Sequence, residues 1–255
     1  MSGAAPRRLR LLASGAGAPA FNLALDEALL LGGGSAVRLY EWAPPGLSLG
    51  YFQRLAELDL APARRLGFEV VRRPTGGGAI AHCGELTFSV VDAVGGGIFD
   101  ADVRRGYARL HSAFARALAR LGAAARPRGA ATLASDRADA TWLCFYKSSD
   151  LDLVAGAASA ARKLLGSAER RIGGRVMHHG SLPLARNPLT PDAACVADLV
   201  GRPVAVAEIA AALLPELEAE FGCVLVPGAP TVEELAAAER LVATKYATAE
   251  WTARR

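Results

Sequence analysis

Two stretches of the chain concentrate the residue types that do chemistry. The first is Arg72-Arg73-Pro74-Thr75-Gly76-Gly77-Gly78-Ala79-Ile80-Ala81-His82. A strand ending in two guanidinium groups runs there into a loop where three successive residues lack Cβ, so backbone N–H groups can approach a ligand closely. Such a loop suits an acyl chain, a carboxylate or a phosphate, with Ile80 as apolar lining. No Gly-Lys-Ser/Thr follows and the G-x-G-x-x-G spacing is absent, which excludes a Walker loop and a dinucleotide site. A plain turn, and a structural His82, are the competing readings.

The second stretch runs from Cys144 to Ser181: Cys144-Phe145, then Arg162-Lys163-Leu164-Leu165-Gly166-Ser167-Ala168, then His178-His179-Gly180-Ser181. A thiol becomes a nucleophile when a nearby base or cation favours its thiolate. Lys163 is the candidate partner. Of 29 cations only Lys147, Lys163 and Lys245 are lysine, so a chain that otherwise uses arginine keeps lysine where a compact, titratable ammonium is needed. Desolvation by Leu164 and Leu165 is expected to lower its pKa toward a working value. The competing reading of Cys144, flanked by Leu143 and Phe145, is core packing. The adjacent histidines on a strand point to opposite faces, so at most one faces a site. No metal-binding spacing is present, and Cys195 and Cys223 read as helix and strand core residues.

The elements that must hold these groups follow from periodicity. Residues 23–31 read as a helix capped by Asn22 and stopped by Gly32-Gly33-Gly34. Ala36 to Trp42, Leu47 to Phe52, Phe68 to Arg73 and Leu86 to Val91 read as strands. Val103, Tyr107, Leu110, Phe114, Leu118 and Leu121 form one helical face. Leu121 to Ala140 reads as a flexible connection. Leu151 to Leu184 reads as short hairpin strands broken at Gly156, Gly166, Gly173-Gly174 and Gly180. A helix over Val206 to Leu214 should kink or restart at Pro215. Another begins at Thr231, whose spacing to Glu234 makes a capping box, and runs to about Ala243. Strands in groups between helices predict an α+β fold, a mostly antiparallel sheet flanked by helices.

Composition bounds the rest. A chain of 255 residues with 52% hydrophobic and 21% charged residues supports a large core, and no repeat or linker divides it, so residues 1–255 read as one domain. The longest charge-free run, Leu11 to Leu25, is broken by Gly15, Gly17, Pro19 and Asn22, which argues against a membrane span. Arg7, Arg8 and Arg10 precede a stretch too rich in Gly, Ser and Pro for a signal peptide, and four dilute cysteines make no disulfide scaffold. A cytoplasmic protein is expected. The net charge of +4 is scattered in arginine doublets without stacking aromatics, which favours acidic protein partners and argues against nucleic acid.

The motif order NLALDEALL, RLYEWAPPGLSLGYFQ, RRPTGGGAIAH, ELTFSV, CF, RKLLGSAERR, HHGSL and ATKYATAEWTARR resembles the lipoate/biotin protein ligase superfamily across nearly the whole chain. Within it the chain is most similar to the bacterial octanoyltransferases of lipoate assembly. That resemblance implies a lipoate/biotin protein ligase catalytic domain that forms an acyl-thioester on Cys144, assisted by Lys163, with no cofactor. The implied donor is octanoyl-acyl carrier protein; the implied acceptors are lipoyl domains of the glycine cleavage H protein or of 2-oxoacid dehydrogenase E2 subunits. Candidate substrate-binding residues are Arg72, Arg73, Gly76, Gly77, Gly78 and His82, with Gly166, Ser167, His179 and Gly180. The sequence departs from the family pattern at Tyr146 to Asp150, at Cys83 and at Glu169. An ATP-dependent lipoate ligase, a lipoyl amidotransferase and a silent acyl binder are the alternatives.

Overall fold

The computed structural model describes residues 5–130, 142–146, 149–157 and 160–254. In chain order the elements are β1 (Arg7–Gly17), α1 (Pro19–Leu31), β2 (Ala36–Trp42), β3 (Gly46–Leu49), α2 (Ala61–Arg65), β4 (Glu69–Arg72), β5 (Ile80–His82), β6 (Glu85–Ala93) and α3 (Val103–Arg120). They continue with β7 (Ala125–Pro127), β8 (Leu153–Ala155), β9 (Arg162–Ile172), β10 (Arg175–Pro183), α4 (Val196–Val200), α5 (Val206–Phe221), β11 (Cys223–Pro227), α6 (Val232–Leu241) and α7 (Ala249–Ala253). An eight-stranded sheet has the order β11-β1-β2-β6-β10-β9-β8-β7, and a three-stranded sheet the order β4-β3-β5. Antiparallel pairing runs from β2 to β7; β1 pairs in parallel with both β2 and β11. The α+β, mostly antiparallel expectation therefore holds.

Alternation along the central strands sends side chains to two cores. Val37, Leu39, Phe88 and Val90 pack with Leu110 and Phe114 of α3 and with Ile209 and Leu213 of α5. Ala36, Tyr40, Val91 and Met177 pack on the other face with Leu25 and Leu29 of α1 and Ala238 of α6. The apolar stripe of α3 divides: Leu110, Phe114 and Leu118 are buried in the core, while Val103 and Tyr107 border a cavity. No helix among the described residues is long and apolar enough to cross a membrane.

Several elements differ from expectation for identifiable reasons. Helix α1 starts four residues early, with Pro19 in its first turn and Ala18 as cap. Asn22 is instead buried, donating to the carbonyls of Gly17 and Glu41 and accepting from Arg38. Strands β9 and β10 run through Gly166 and Gly180; only Gly173-Gly174, both at positive φ (55° and 75°), makes the turn between them. Helix α5 continues through Pro215 to Phe221 without a break. Cys195 caps α4 from just outside it, and Cys223 opens β11; both are buried. The expected flexible connection includes β7, and its residues 131–140 lie outside the described residues.

Candidate active site

Cys144 begins a single 3-10 turn, Cys144–Tyr146, that is tied to the glycine loop by two backbone hydrogen bonds. Ala79 donates to the Trp142 carbonyl and Cys144 donates to the Ala79 carbonyl, each at 2.7 Å. Gly78 makes this approach possible, since a Cβ there would stand 2.9 Å from the Trp142 oxygen and 3.0 Å from the Cys144 nitrogen. From the other side β9 delivers Lys163 at a register irregularity opposite β8. Its buried Nζ lies 3.2 Å from Cys144 Sγ and 2.8 Å from Asp152 Oδ2. Gly166 clears the space the lysine occupies, because a Cβ there would be 2.5 Å from Lys163 Cε. Thus the two residues read from sequence as a nucleophile and its partner meet.

The direction of the Lys163 pKa corrects the expectation. Burial does push it down, but Cys144 and Asp152 outweigh burial and the net shift is upward. Leu164 and Leu165 are fully buried as foreseen; Cys144 and the buried Asp152, which was not foreseen, together reverse the sign. Lys163 therefore rests as an ammonium.

Beside the pair opens a cavity of about 520 Å³. Cys144, Gly76, Gly77, Ile80, Trp42 and Tyr107 border it, so the thiol opens onto a mostly apolar cavity. Of the other expected substrate-binding residues, Arg73, His82, Ser167, His179 and Gly180 also border it, whereas Arg72, Gly78 and Gly166 do not. Arg73 donates to the carbonyls of Ser48 (2.8 Å), Gly76 (2.7 Å) and Gly78 (2.7 Å), and burial lowers its pKa to about 10. Arg72 donates to the carbonyls of Gly50 and Gln53 at 2.8 Å and of Thr252 at 2.8 Å. Of the guanidinium groups expected at a ligand, Arg73 thus holds the glycine loop's backbone, and Arg72 holds the turn at Gly50 to Gln53 against Thr252. Gly77 itself sits at φ 93°, where a side chain is strained.

The remaining polar groups brace the walls. His82 lies between Ser48 Oγ (2.7 Å) and Glu85, stacked on Trp42 with ring centroids 3.8 Å apart. His179 Nε2 pairs with Thr75 Oγ1 at 2.7 Å and its Nδ1 lies 3.5 Å from Asp26; burial lowers its pKa although Asp26 opposes this. Gly180 admits the Phe88 ring, 2.6 Å from where its Cβ would be. The two adjacent histidines do face opposite ways: His178 packs against Tyr107 and Phe99. Sequence reasoning missed Asp152, Tyr107, His111 and Glu169. Only the strand register, Val154 opposite Lys163, places an aspartate of the preceding segment beside a buried lysine. Among the described residues no group of three His, Cys, Asp or Glu side chains is arranged to hold a metal.

Comparison with known proteins finds relatives over nearly the full chain. An octanoyltransferase LipM of Kyrpidia tusciae is 34% identical over 278 residues, covering 96% of this chain and 98% of its own. An octanoyltransferase LipM of Bacillus subtilis is 30% identical with the same coverage. A lipoate-protein ligase A crystallised with ATP superposes with a TM-score of 0.79 at 27% identity, covering 96% of this chain and 98% of its own. A Thermoplasma acidophilum lipoate protein ligase with bound lipoic acid gives a TM-score of 0.79 at 27% identity, covering 97% of this chain and 100% of its own. Residues 18–188 match the model of the lipoyl protein ligase A/B catalytic domain, and the chain belongs to that family.

Proposed function

We propose that this chain is an acyltransferase that moves an octanoyl group from acyl carrier protein to a lysine of a lipoyl domain, through a thioester on Cys144. The relatives named octanoyltransferase support the reaction over nearly full length. The observation that carries the mechanism is the buried Lys163 Nζ, 3.2 Å from Cys144 Sγ at the edge of an apolar cavity. The Lys163 ammonium favours the thiolate of its neighbour by charge. That thiolate attacks the thioester carbonyl, the carrier thiolate leaves, and Lys163 gives it a proton. The acyl chain then lies along Gly76, Gly77 and Ile80. The amine of the lipoyl-domain lysine attacks the Cys144 thioester, the amide forms and the Cys144 thiolate returns to its ion pair.

Splitting one transfer between two large partners into two half-reactions predicts ping-pong kinetics. The donor is already a thioester, so no ATP and no cofactor are required. Acceptors are the lipoyl domains of glycine cleavage H protein or of 2-oxoacid dehydrogenase E2 subunits. The four free cysteines suit a reducing cytoplasm as the site of action, and residues 1–255 act as one domain. Incubation with octanoyl carrier protein and a lipoyl domain, with and without ATP, tests the reading. Octanoylation without ATP is expected; transfer from free lipoate that needs ATP and survives Cys144→Ala would replace it with a ligase.

A further inference from the structure

The ammonium of Lys163 depends on its anionic neighbours, so whatever holds Asp152 in place also governs the reactive pair. Strand pairing does not hold it. Strand β8 opens one residue later, at Leu153, and its pairing with β9 is irregular there, with Leu153 opposite Leu165 but Val154 opposite Lys163. The Asp152 N–H donates to the Ser149 carbonyl at 3.2 Å, its carbonyl accepts from the Arg128 N–H at 2.8 Å, and its Oδ2 accepts from the Ser149 N–H at 2.7 Å. These bonds stay within the turn or lead to the segment after β7. None of them reaches β9, the strand that carries Lys163.

His111 of α3 reaches both. It is a buried polar residue on the core side of that helix, next to Leu110. Its Nδ1 lies 2.6 Å from the carbonyl of Leu151, the residue before Asp152; a carbonyl only accepts, so Nδ1 carries the hydrogen and donates. Burial pushes the His111 pKa down to about 4, which leaves the ring neutral and its Nε2 an acceptor for Ser167 Oγ at 2.7 Å. Ser167 stands on β9 four residues beyond Lys163. Next to it Gly166 fits against both partners, since a Cβ there would be 2.7 Å from Lys163 Nζ and 3.5 Å from Asp152 Oδ1. The rings of Tyr107 and His178, with centroids 5.8 and 6.2 Å from that of His111, and the charges of Asp152 and Lys163 also surround it.

We propose that His111 is a positioning residue for the Cys144–Lys163 pair: one imidazole ties the turn bearing Asp152 to the strand bearing Lys163, and so holds the carboxylate against the amine. It touches no reacting atom. An apolar side chain in its place would strip a buried partner from both the Leu151 carbonyl and the Ser167 hydroxyl, and the turn would shift to find new ones. Lys163 would then keep Cys144 but lose the charge of Asp152, and burial would weigh more heavily against its ammonium. A second tie from α3, the ion pair of Arg104 with Asp150, is exposed on both sides, so solvent and salt screen it and it cannot take over this task.

This inference rests on the reading of Cys144 and Lys163 as the reactive pair, and alkylation by a small molecule tests it apart from acyl transfer. The rate at which iodoacetamide modifies Cys144, located by peptide mass, is followed against pH in the whole protein. His111→Leu should react about tenfold more slowly at neutral pH, the effect of one pKa unit, and should recover the native rate at high pH, where the thiolate forms unaided. Octanoyl transfer should fall by a similar factor in kcat, with the KM for the carrier near native. His111→Asn, whose amide can still donate to the Leu151 carbonyl, should regain much of both rates. Asp152→Asn should lose at least as much as His111→Leu, and adding His111→Leu to it should cost nothing more, because both act through one contact. If His111→Leu does not fold, Ser167→Ala, which cuts the other end of the tie, should show the same loss with recovery at high pH. A native alkylation profile in the variant that folds, a loss equal at every pH, or losses that multiply in the double variant overturn the proposal. A native protein that forms no acyl-enzyme while these profiles hold would instead overturn the thioester reading and leave the role of His111 standing.

Discussion

The glycine loop and the Cys144–Lys163 corner meet at one cavity and both hold buried cations, and they use them in opposite ways. Around the loop Arg72 and Arg73 donate to the carbonyls of Gly50, Gln53, Thr252, Ser48, Gly76 and Gly78, so their charge fixes backbone. At the corner Lys163 faces a thiol and a carboxylate, groups whose protonation can change. Arginine, whose fork stays charged and planar, suits the first task; lysine, a compact group that can give up a proton, suits the second. A buried cation is therefore read by its partners: carbonyls mark scaffold and titratable groups mark chemistry.

Exchanging these uses should break one region without the other. Lys163→Arg keeps the charge but cannot move a proton at neutral pH, so steady-state transfer should fall about 10³-fold, within the range for acid–base residues. Thermal melting should change far less than turnover. Arg72→Ala should do the reverse, lowering stability by about 3 kcal/mol because several buried carbonyls lose their donor. Acylation of Cys144 in the fraction that folds should persist. A normally stable Arg72→Ala with a raised KM for the donor would instead put Arg72 at the ligand.

Buried His111, whose Nδ1 lies 2.6 Å from the Leu151 carbonyl, gives a pH signature of similar size. His111 titrates near 4 in the folded protein against 6.5 when free, so the unfolded chain binds more protons between those values. Stability is full above pH 6.5 and is lost as pH falls toward 4, by about 3 kcal/mol at one pKa unit per 1.36 kcal/mol. Unfolding in denaturant at a series of pH values checks this, and His111→Gln should flatten the curve. Gly166→Ala is expected to act through position alone. A Cβ 2.5 Å from Lys163 Cε must displace the amine, and a shift on the order of 1 Å costs about 10² in rate. The smallest effect is on the surface: the net charge of +4 should make carrier affinity fall modestly, by about tenfold or less, as salt rises.

What was legible in the sequence follows the range of the forces involved. Helix α3 was visible because Leu110, Phe114 and Leu118 repeat with the helical period, and α6 because Thr231 and Glu234 cap it locally. Strand β1 was missed, since only tertiary pairing, with β2 on one side and with β11 more than 200 residues away on the other, makes Arg7 to Gly17 extended. At the site, residue scarcity picked out Lys163 and the family resemblance marked Cys144, but the sign of the lysine's shift depended on Cys144 and Asp152 meeting it, which local sequence does not show. The arginine pair was legible as important and misread in kind for Arg72, because a doublet before glycines looks the same whether it binds a ligand or the loop itself.

The proposed function stands or falls on whether Cys144, beside an ammonium and bordering a mostly apolar cavity, carries the acyl group. Intact mass of the protein after incubation with octanoyl carrier protein, without ATP, tests it most directly. The account predicts a single added octanoyl group that hydroxylamine removes and that is absent from Cys144→Ala. An unmodified native protein that still octanoylates a lipoyl domain, or an adduct that survives Cys144→Ala, would contradict it.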